Sequence, residues 1–461
     1  MKKRIICLLL AICTVFIICS CSCVRGDDKY DYDMTEYIKL PNYKTRLFEV
    51  EEDAIKQAIG TYLVQFSSEY KVKRGDKINV DVKYFLPNPD IDKKGDELTD
   101  LFIDDVWLEN VATPNSDNNY QISYQIENIM IGRKLKETVT NKLTMADDFY
   151  VEEYRGQSLY VEMTINNKEL EMGDVLMASY TGYYVDENNN IIKENDKDKT
   201  FDTSDNSAFY IGSHLAIDGF ENGLIGMQLD KEKDIYTEFP STYKPDPTMA
   251  GKKVMFRVKV KSLYTAPTYD DAFVTTYFTK FKNTTEFEAA LRKEYILSLV
   301  LDYISNNVQI LEYPQAEYKA AQLQLEEIEG PFAQSKGITL DAYIQSEYGM
   351  TRDAYIKSNM KTEMIYYALR NLIGDSVVPT EAELTAERNA QIASYKSYYI
   401  QEGMSESNAI EQANSFVDKL GEAFIYEQVL YDKIDNVLPS QVKTKTIPST
   451  YDSYIFDAQV K

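Results

Sequence analysis

An α+β fold, a duplicated β domain followed by a helical one, is predicted by three observations. Residues 74–266 alternate apolar and polar side chains with period two, as in Ile78-Asn79-Val80-Asp81-Val82, Tyr160–Ile165 and Phe256–Val260. That is the pattern of strands with one buried face. From residue 267 to about 438 the spacing turns helical. Within the β region three short motifs recur: Gly75-Asp76 with Gly173-Asp174, Ile131-Gly132 with Ile225-Gly226, and Arg155-Gly156 with Ala250-Gly251. Their offsets of 98, 94 and 95 residues mark two copies of one domain, at 74–168 and 169–266.

All five cysteines (7, 13, 19, 21 and 23) lie at the N-terminal end. Lys2, Lys3 and Arg4 precede the apolar run Ile5–Cys19, too short for a membrane span and suited to a signal peptide. Ile18-Cys19-Ser20-Cys21 resembles the lipobox of bacterial lipoproteins, which implies cleavage after residue 20 and lipidation of Cys21. Cys23 receives no role. Residues 21–73 read as a charged tether, a short strand near 37–48, and a linker helix over Glu51–Phe66, where Ala54, Ile55, Ile59, Leu63 and Phe66 share one face.

Between 267 and 440 several helices are punctuated by Pro314, Pro379 and the glycines 330, 337, 349 and 374. Thr285 with Glu288, and Thr380 with Glu383, have the spacing of capping boxes. Residues 441–461 read as a tail.

The second copy carries the chemistry. It runs from Gly173-Asp174 through Tyr180-Thr181-Gly182, Phe201-Asp202 and Phe209-Tyr210-Ile211-Gly212. Ile217-Asp218-Gly219-Phe220-Glu221 follows, then Phe239–Tyr243 and Val254–Val260. This order and spacing resembles the FKBP-type peptidyl-prolyl isomerase domain, in the trigger factor-like branch. The resemblance implies an antiparallel sheet wrapped on one short helix, opened by Gly219–Leu224. It also implies a pocket of Tyr180, Phe201, Asp202, Phe209, Ile217, Phe220 and Phe256, with Ala216 and Tyr243 touching substrate. In that family the backbone N–H at the Ile217 position bonds a substrate carbonyl, and Asp202 would face the twisting amide. Two departures stand out: Phe220 replaces the Trp of single-domain members, and the loop between Phe239 and Gly251 is short. The first copy lacks these motifs and reads as a degenerate, non-catalytic FKBP-like domain.

Tyr269–Phe273, Thr284–Arg292 and Glu427–Ile434 resemble the two ends of the helical chaperone domain of trigger factor. In that family helical arms hold unfolded chains; Tyr366, Tyr367 and Leu369, with Tyr398, Tyr399 and Ile400, are candidates for such a surface, although an aromatic side chain on a helix is more often part of the core. The ribosome-docking Gly-Phe-Arg signature is absent, which implies no ribosome partner.

Without residues 1–20 the chain carries 47 Lys+Arg against 74 Asp+Glu, a formal charge of −27. Such a surface repels phosphate backbones and excludes nucleic acid as a partner. No cofactor or metal is implied. Asp90, Asp92 and Gly95 start like an EF-hand, but Leu101 stands where its bidentate Glu belongs. The single histidine, His214, reads as an exposed loop residue. The expected protein is an extracytoplasmic, lipid-anchored peptidyl-prolyl isomerase and chaperone for unfolded or proline-containing exported polypeptides. The alternative is a non-catalytic holdase lipoprotein.

Overall fold

Three pairs of glycines expose the duplication directly. Gly75 and Gly173 have φ of 91° and 92°, Gly132 and Gly226 have 81° and 78°, and Gly156 and Gly251 have 70° and 67°. A side chain is disfavoured in that left-handed region, so each pair marks one turn built twice. The bonds around them repeat as well. Gly75 N–H donates to Val111 O and Gly173 N–H to Ile211 O, at 2.9 and 3.0 Å. Gly132 and Gly226 donate to Val72 O and Leu170 O, both at 2.8 Å.

The computed structural model describes residues 32–460 except 92, 114–121 and 123. The predicted signal peptide, Cys21 and Cys23 lie outside the described residues. The chain forms two compact units: Asp53–Phe287 with Ser449–Lys461, and the residues up to Glu52 with Glu288–Pro448.

In the first of these units both copies are antiparallel sheets with the same strand order. The first copy orders its strands Lys94–Glu97, Ile78–Pro87, Ser158–Lys168, Thr138–Thr144, with Ile103–Leu108 also on Ile78–Pro87. The second orders Thr200–Tyr210, Asp174–Tyr184, Lys253–Thr265, Glu232–Glu238, with Ser68–Glu69 added to Lys253–Thr265. One apolar core runs through both, from Val80, Val82 and Val161 to Leu224, Phe256 and Val258. Where they join, Lys168 is fully buried; its Nζ lies 2.6 Å from Asp174 Oδ2 and 2.9 Å from Glu171 Oε1. The expected linker helix runs Glu52–Gln65, with Ile55, Ile59 and Leu63 buried.

The second unit is mainly helical. Its core gathers Val300 and Ile304 from Thr284–Asn307, Met364–Leu369 from Arg352–Ile373, and Leu430 and Ile434 from Glu422–Val437. The capping box at Thr380 forms as expected. Thr285 does not cap: Asn283 Oδ1 takes Glu286 N–H at 2.9 Å, and Thr285 lies inside the first turn. Gly330 interrupts nothing, since Gln315–Ser335 continues through it and Pro331. Residues 441–461 are more than a tail. Lys443–Ile447 pairs in parallel with Leu47–Glu51, and Tyr454 and Phe456 are buried in the first unit. No helix among the described residues is long and apolar enough to cross a membrane.

Candidate functional site

The short helix Asp218–Leu224 positions the floor of the site. It lies against the strand Glu232–Glu238 so closely that a Cβ on Gly219 would sit 1.9 Å from Thr237 Oγ1. A Cβ on Gly223 would sit 2.3 Å from Ile235 Cγ2. The two glycines, four residues apart, put one bare helix face on the sheet. Phe220, between them, is then driven into the core at 3% exposure.

Around Phe220 stand rings from separate strands. Its centroid is 4.8 Å from that of Phe209, 4.9 Å from Phe256 and 6.2 Å from Tyr180. Tyr180 and Phe256 meet at 66°, the edge-on arrangement that aromatic quadrupoles favour. Phe201 forms a side wall, 5.5 Å from Phe256 and 5.9 Å from Phe239. Gly182 makes room for it: a Cβ there would lie 2.5 Å from Phe201 Cζ. Tyr243 joins through Phe239, at 4.8 Å between centroids.

Tyr180 Oη donates to Asp202 Oδ2 at 2.6 Å, and Asp202 Oδ1 accepts Thr203 N–H at 2.9 Å. Burial, then the Asp202 carboxylate, pushes the Tyr180 phenol well above its usual range, so it remains a donor. Asp202, expected to face the twisting amide, has both oxygens engaged by neighbours on the protein. It sets the direction of the Tyr180 hydroxyl.

Ile217 precedes the helix with φ −66° and ψ 139°. Among the described residues its N–H has no acceptor. The loop before it is shaped by Glu221, whose role the sequence left unassigned. Glu221 Oε2 accepts Gly212 N–H at 2.8 Å and His214 N–H at 3.2 Å, and Oε1 accepts Ala216 N–H at 2.9 Å. Its side chain is buried, and burial raises its pKa although the three N–H groups favour the anion. Among the described residues no group of three or more His, Cys, Asp or Glu side chains is placed to hold a metal.

The first copy keeps the scaffold and fills the site. Glu127 Oε2 accepts Ala112 N–H at 2.6 Å, in the position of Glu221 and Gly212. This buried glutamate is shared although the flanking motif is not. The register pairs Tyr84 with Val161 where the second copy pairs Gly182 with Phe256. Tyr84 is fully buried and packs 5.6 Å from Phe149. A ring therefore occupies the place that Gly182 leaves open, and Ile126 replaces Phe220.

Residues 166–261 match the family described as FKBP-type peptidyl-prolyl cis-trans isomerase. These residues form an FKBP-type domain. Beyond it, the chain is similar to trigger factors. It is 27% identical to that of Caldicellulosiruptor bescii over 289 residues, 58% of this chain and 63% of that protein. It is 28% identical to that of Hydrogenovibrio crunogenus over 228 residues, 45% of this chain and 50% of that protein. The trigger factor of Mesomycoplasma hyopneumoniae strain 232 is 35% identical over 99 residues, 21% of this chain and 18% of that one. The chain thus spans between 50% and 63% of the length of the first two relatives. A solved trigger factor chaperone aligns over 65% of this chain and 79% of its own at 13% identity, with a TM-score of 0.17. The three FKBP domains of wheat FKBP73 align over 42% and 90% at 12% identity, with a TM-score of 0.16. Superpositions that weak add nothing to the fold described above.

Proposed function

We propose that the FKBP-type domain isomerises Xaa–Pro bonds in unfolded polypeptides that the helical unit holds, and that the protein serves exported chains from a lipid anchor at Cys21. The observation that carries the catalytic part is a cluster of aromatic rings next to a free N–H: Phe220 ringed by Tyr180, Phe209 and Phe256, and Ile217 N–H with no acceptor among the described residues.

The reaction has a barrier of about 18–20 kcal/mol because the amide is conjugated. Rotation breaks that conjugation and reduces the charge separation along the bond. An environment that buries the prolyl ring among aromatic faces and withholds water favours the less polar, twisted amide over the planar one. Ile217 N–H would hold a substrate carbonyl and fix the residue flanking the proline. Tyr180 Oη, turned by Asp202, supplies a polar edge. No nucleophile or proton transfer is needed.

Similarity to trigger factors supports the chaperone part. Exposed Tyr398 and Ile400 suit contact with unfolded segments, whereas the other candidates, Tyr366, Tyr367 and Leu369, are buried in the core, the commoner place for helical aromatics. The extracytoplasmic address rests on residues 1–23 alone, and the Cys21→Ala chain is expected to leave the membrane fraction.

Proline-limited refolding of a model substrate by residues 24–461 tests the catalytic part. Acceleration that is lost in the Phe201→Ala, Asp202→Ala double variant, with suppression of aggregation retained, is the expected result. Suppression of aggregation with no acceleration by the parent protein would leave a holdase in its place.

A further inference from the structure

The loop that carries Ile217 N–H is held from the pocket side by Glu221. It is held from its other side by residues 449–457, which come from the far end of the sequence. Tyr451 stacks on the His214 imidazole with 3.7 Å between centroids and 16° between planes. Tyr454 meets the same ring edge-on, at 5.1 Å and 85°. His214 Nε2 lies 3.2 Å from Ser453 O, and its Nδ1 lies 2.6 Å from Asp218 Oδ1, on the first residue of the Phe220 helix. Ile455 N–H donates to Gly212 O at 3.0 Å. His214, read from sequence as an exposed loop residue, thus has a largely covered side chain, 19% exposed.

The segment itself is anchored. Tyr454 Oη and Thr450 Oγ1 bond the two oxygens of Asp53 at 3.0 and 2.6 Å, and Asp457 takes Lys56 Nζ at 2.7 Å. Asp53 and Lys56 lie on one helix, whose Gln57 donates to His214 O at 2.8 Å. His214 needs this support. Its φ is 56°, a left-handed conformation that a residue with a Cβ adopts only under strain. A strained turn persists only where its surroundings over-determine it. Here the restraints are the Glu221 carboxylate and the stacked segment.

We propose that residues 449–457 are a strap that positions the isomerase site, acting through His214 on the Gly212–Ile217 loop, with Tyr451 as its main positioning residue. Removing the Tyr451 ring frees the imidazole, relaxes the turn at 214, and moves Ile217 N–H off the line to a substrate carbonyl. The catalytic part of this inference rests on the function proposed above. The tethering of the loop does not.

The test compares Tyr451→Ala with Tyr451→Phe in the same 24–461 chain used for refolding. Phenylalanine keeps the stacked ring. Two readouts are needed: kcat/KM on an Xaa–Pro peptide, and hydrogen exchange of the 212–217 amides set against those of the strand Lys253–Thr265. The strap predicts that Tyr451→Ala speeds loop exchange at least tenfold and lowers kcat/KM several-fold through KM, with strand exchange unchanged. Tyr451→Phe should restore both. Unchanged loop exchange and kcat/KM in Tyr451→Ala overturn the proposal, and so does an equal rise in loop and strand exchange, which marks general destabilisation. A parent chain with no isomerase activity sinks the catalytic reading instead, and loop exchange then decides whether the strap holds the loop.

Discussion

At the scale of single residues, the site depends on where side chains are missing as much as on where they stand. Gly182 is the clearest case, because the Phe201 ring lies where its Cβ would be. Tyr84 shows the outcome in the first copy: with a side chain at that register position the space is filled. Gly182→Ala should therefore displace Phe201 and lower kcat/KM by ~10²-fold, the usual penalty for misplacing a binding wall by about 1 Å. Aggregation suppression and the far-UV spectrum should stay as in the parent chain. Retained isomerase activity in Gly182→Ala would mean that Phe201 does not line the reacting site. Glu221 makes the complementary point. Its three backbone partners come from residues 212, 214 and 216, so one carboxylate shapes a whole loop.

Between elements, the duplication has left a buried cation where the copies join. Lys168 ends the last strand of the first copy and pairs with Asp174, which opens the first strand of the second. Asp76, the repeat partner of Asp174, accepts from Lys73 N–H at 2.5 Å and from the Tyr70 hydroxyl, and the charge of Lys168 offsets part of the burial that raises its pKa. Removing one partner of such a cluster strands the others. Lys168→Ala should reduce stability by ~3–5 kcal/mol, read as a shift of the denaturant midpoint. Lys168→Met, which keeps the buried volume, should lose nearly as much, because the loss comes from unpaired carboxylates. A near-neutral Lys168→Met would show that the ion pairs contribute little. The motif Gly75-Asp76 and Gly173-Asp174 was visible in the sequence as a repeat. That Lys168 is buried and pairs with Asp174 was not, since nothing in the spacing of Lys168 separates it from surface lysines.

Across the whole helical unit, one carboxyl links stability to pH. Burial raises Asp435 to about 7, although the Tyr366 hydroxyl bonded to it at 2.8 Å favours the anion. In the unfolded chain an aspartate titrates near ~3.9. The folded form therefore holds its proton more tightly, and the stability this contributes is complete below about pH 4 and lost as pH rises through about 7. The protection factors of core amides in Arg352–Ile373 and Glu422–Val437, with the intrinsic rise of exchange with pH divided out, should thus fall between those limits and level off above. Asp435→Asn, which still accepts from Tyr366, should flatten the profile. An unaltered profile would assign the effect to another group.

How much of this was legible differs by scale for a physical reason. The duplicated β domain, the change to helical spacing and the aromatic set Tyr180, Phe201, Phe209, Phe220 and Phe256 could all be read from the chain. Period and motif order are local properties, and each ring follows from its own strand or helix. Thr380 was legible as a cap on the same ground, while Thr285 yielded to Asn283 because adjacent cap residues compete and only the local backbone decides between them. Tyr366, Tyr367 and Leu369 lie in the core, as helical aromatics usually do, but the chain alone left a client-facing surface open for them because a run of apolar side chains on a helix does not say which side is covered. The loop around Ile217 was beyond any local reading. Its shape is set by a carboxylate within the same motif and by Tyr451 and Tyr454, more than 230 residues away in the chain. By itself the sequence determined which aromatic side chains gather around Phe220 and the order of the elements that bear them. Only the tertiary structure decided what holds the loop beside that pocket, because contacts between distant segments follow from packing and leave no periodic trace.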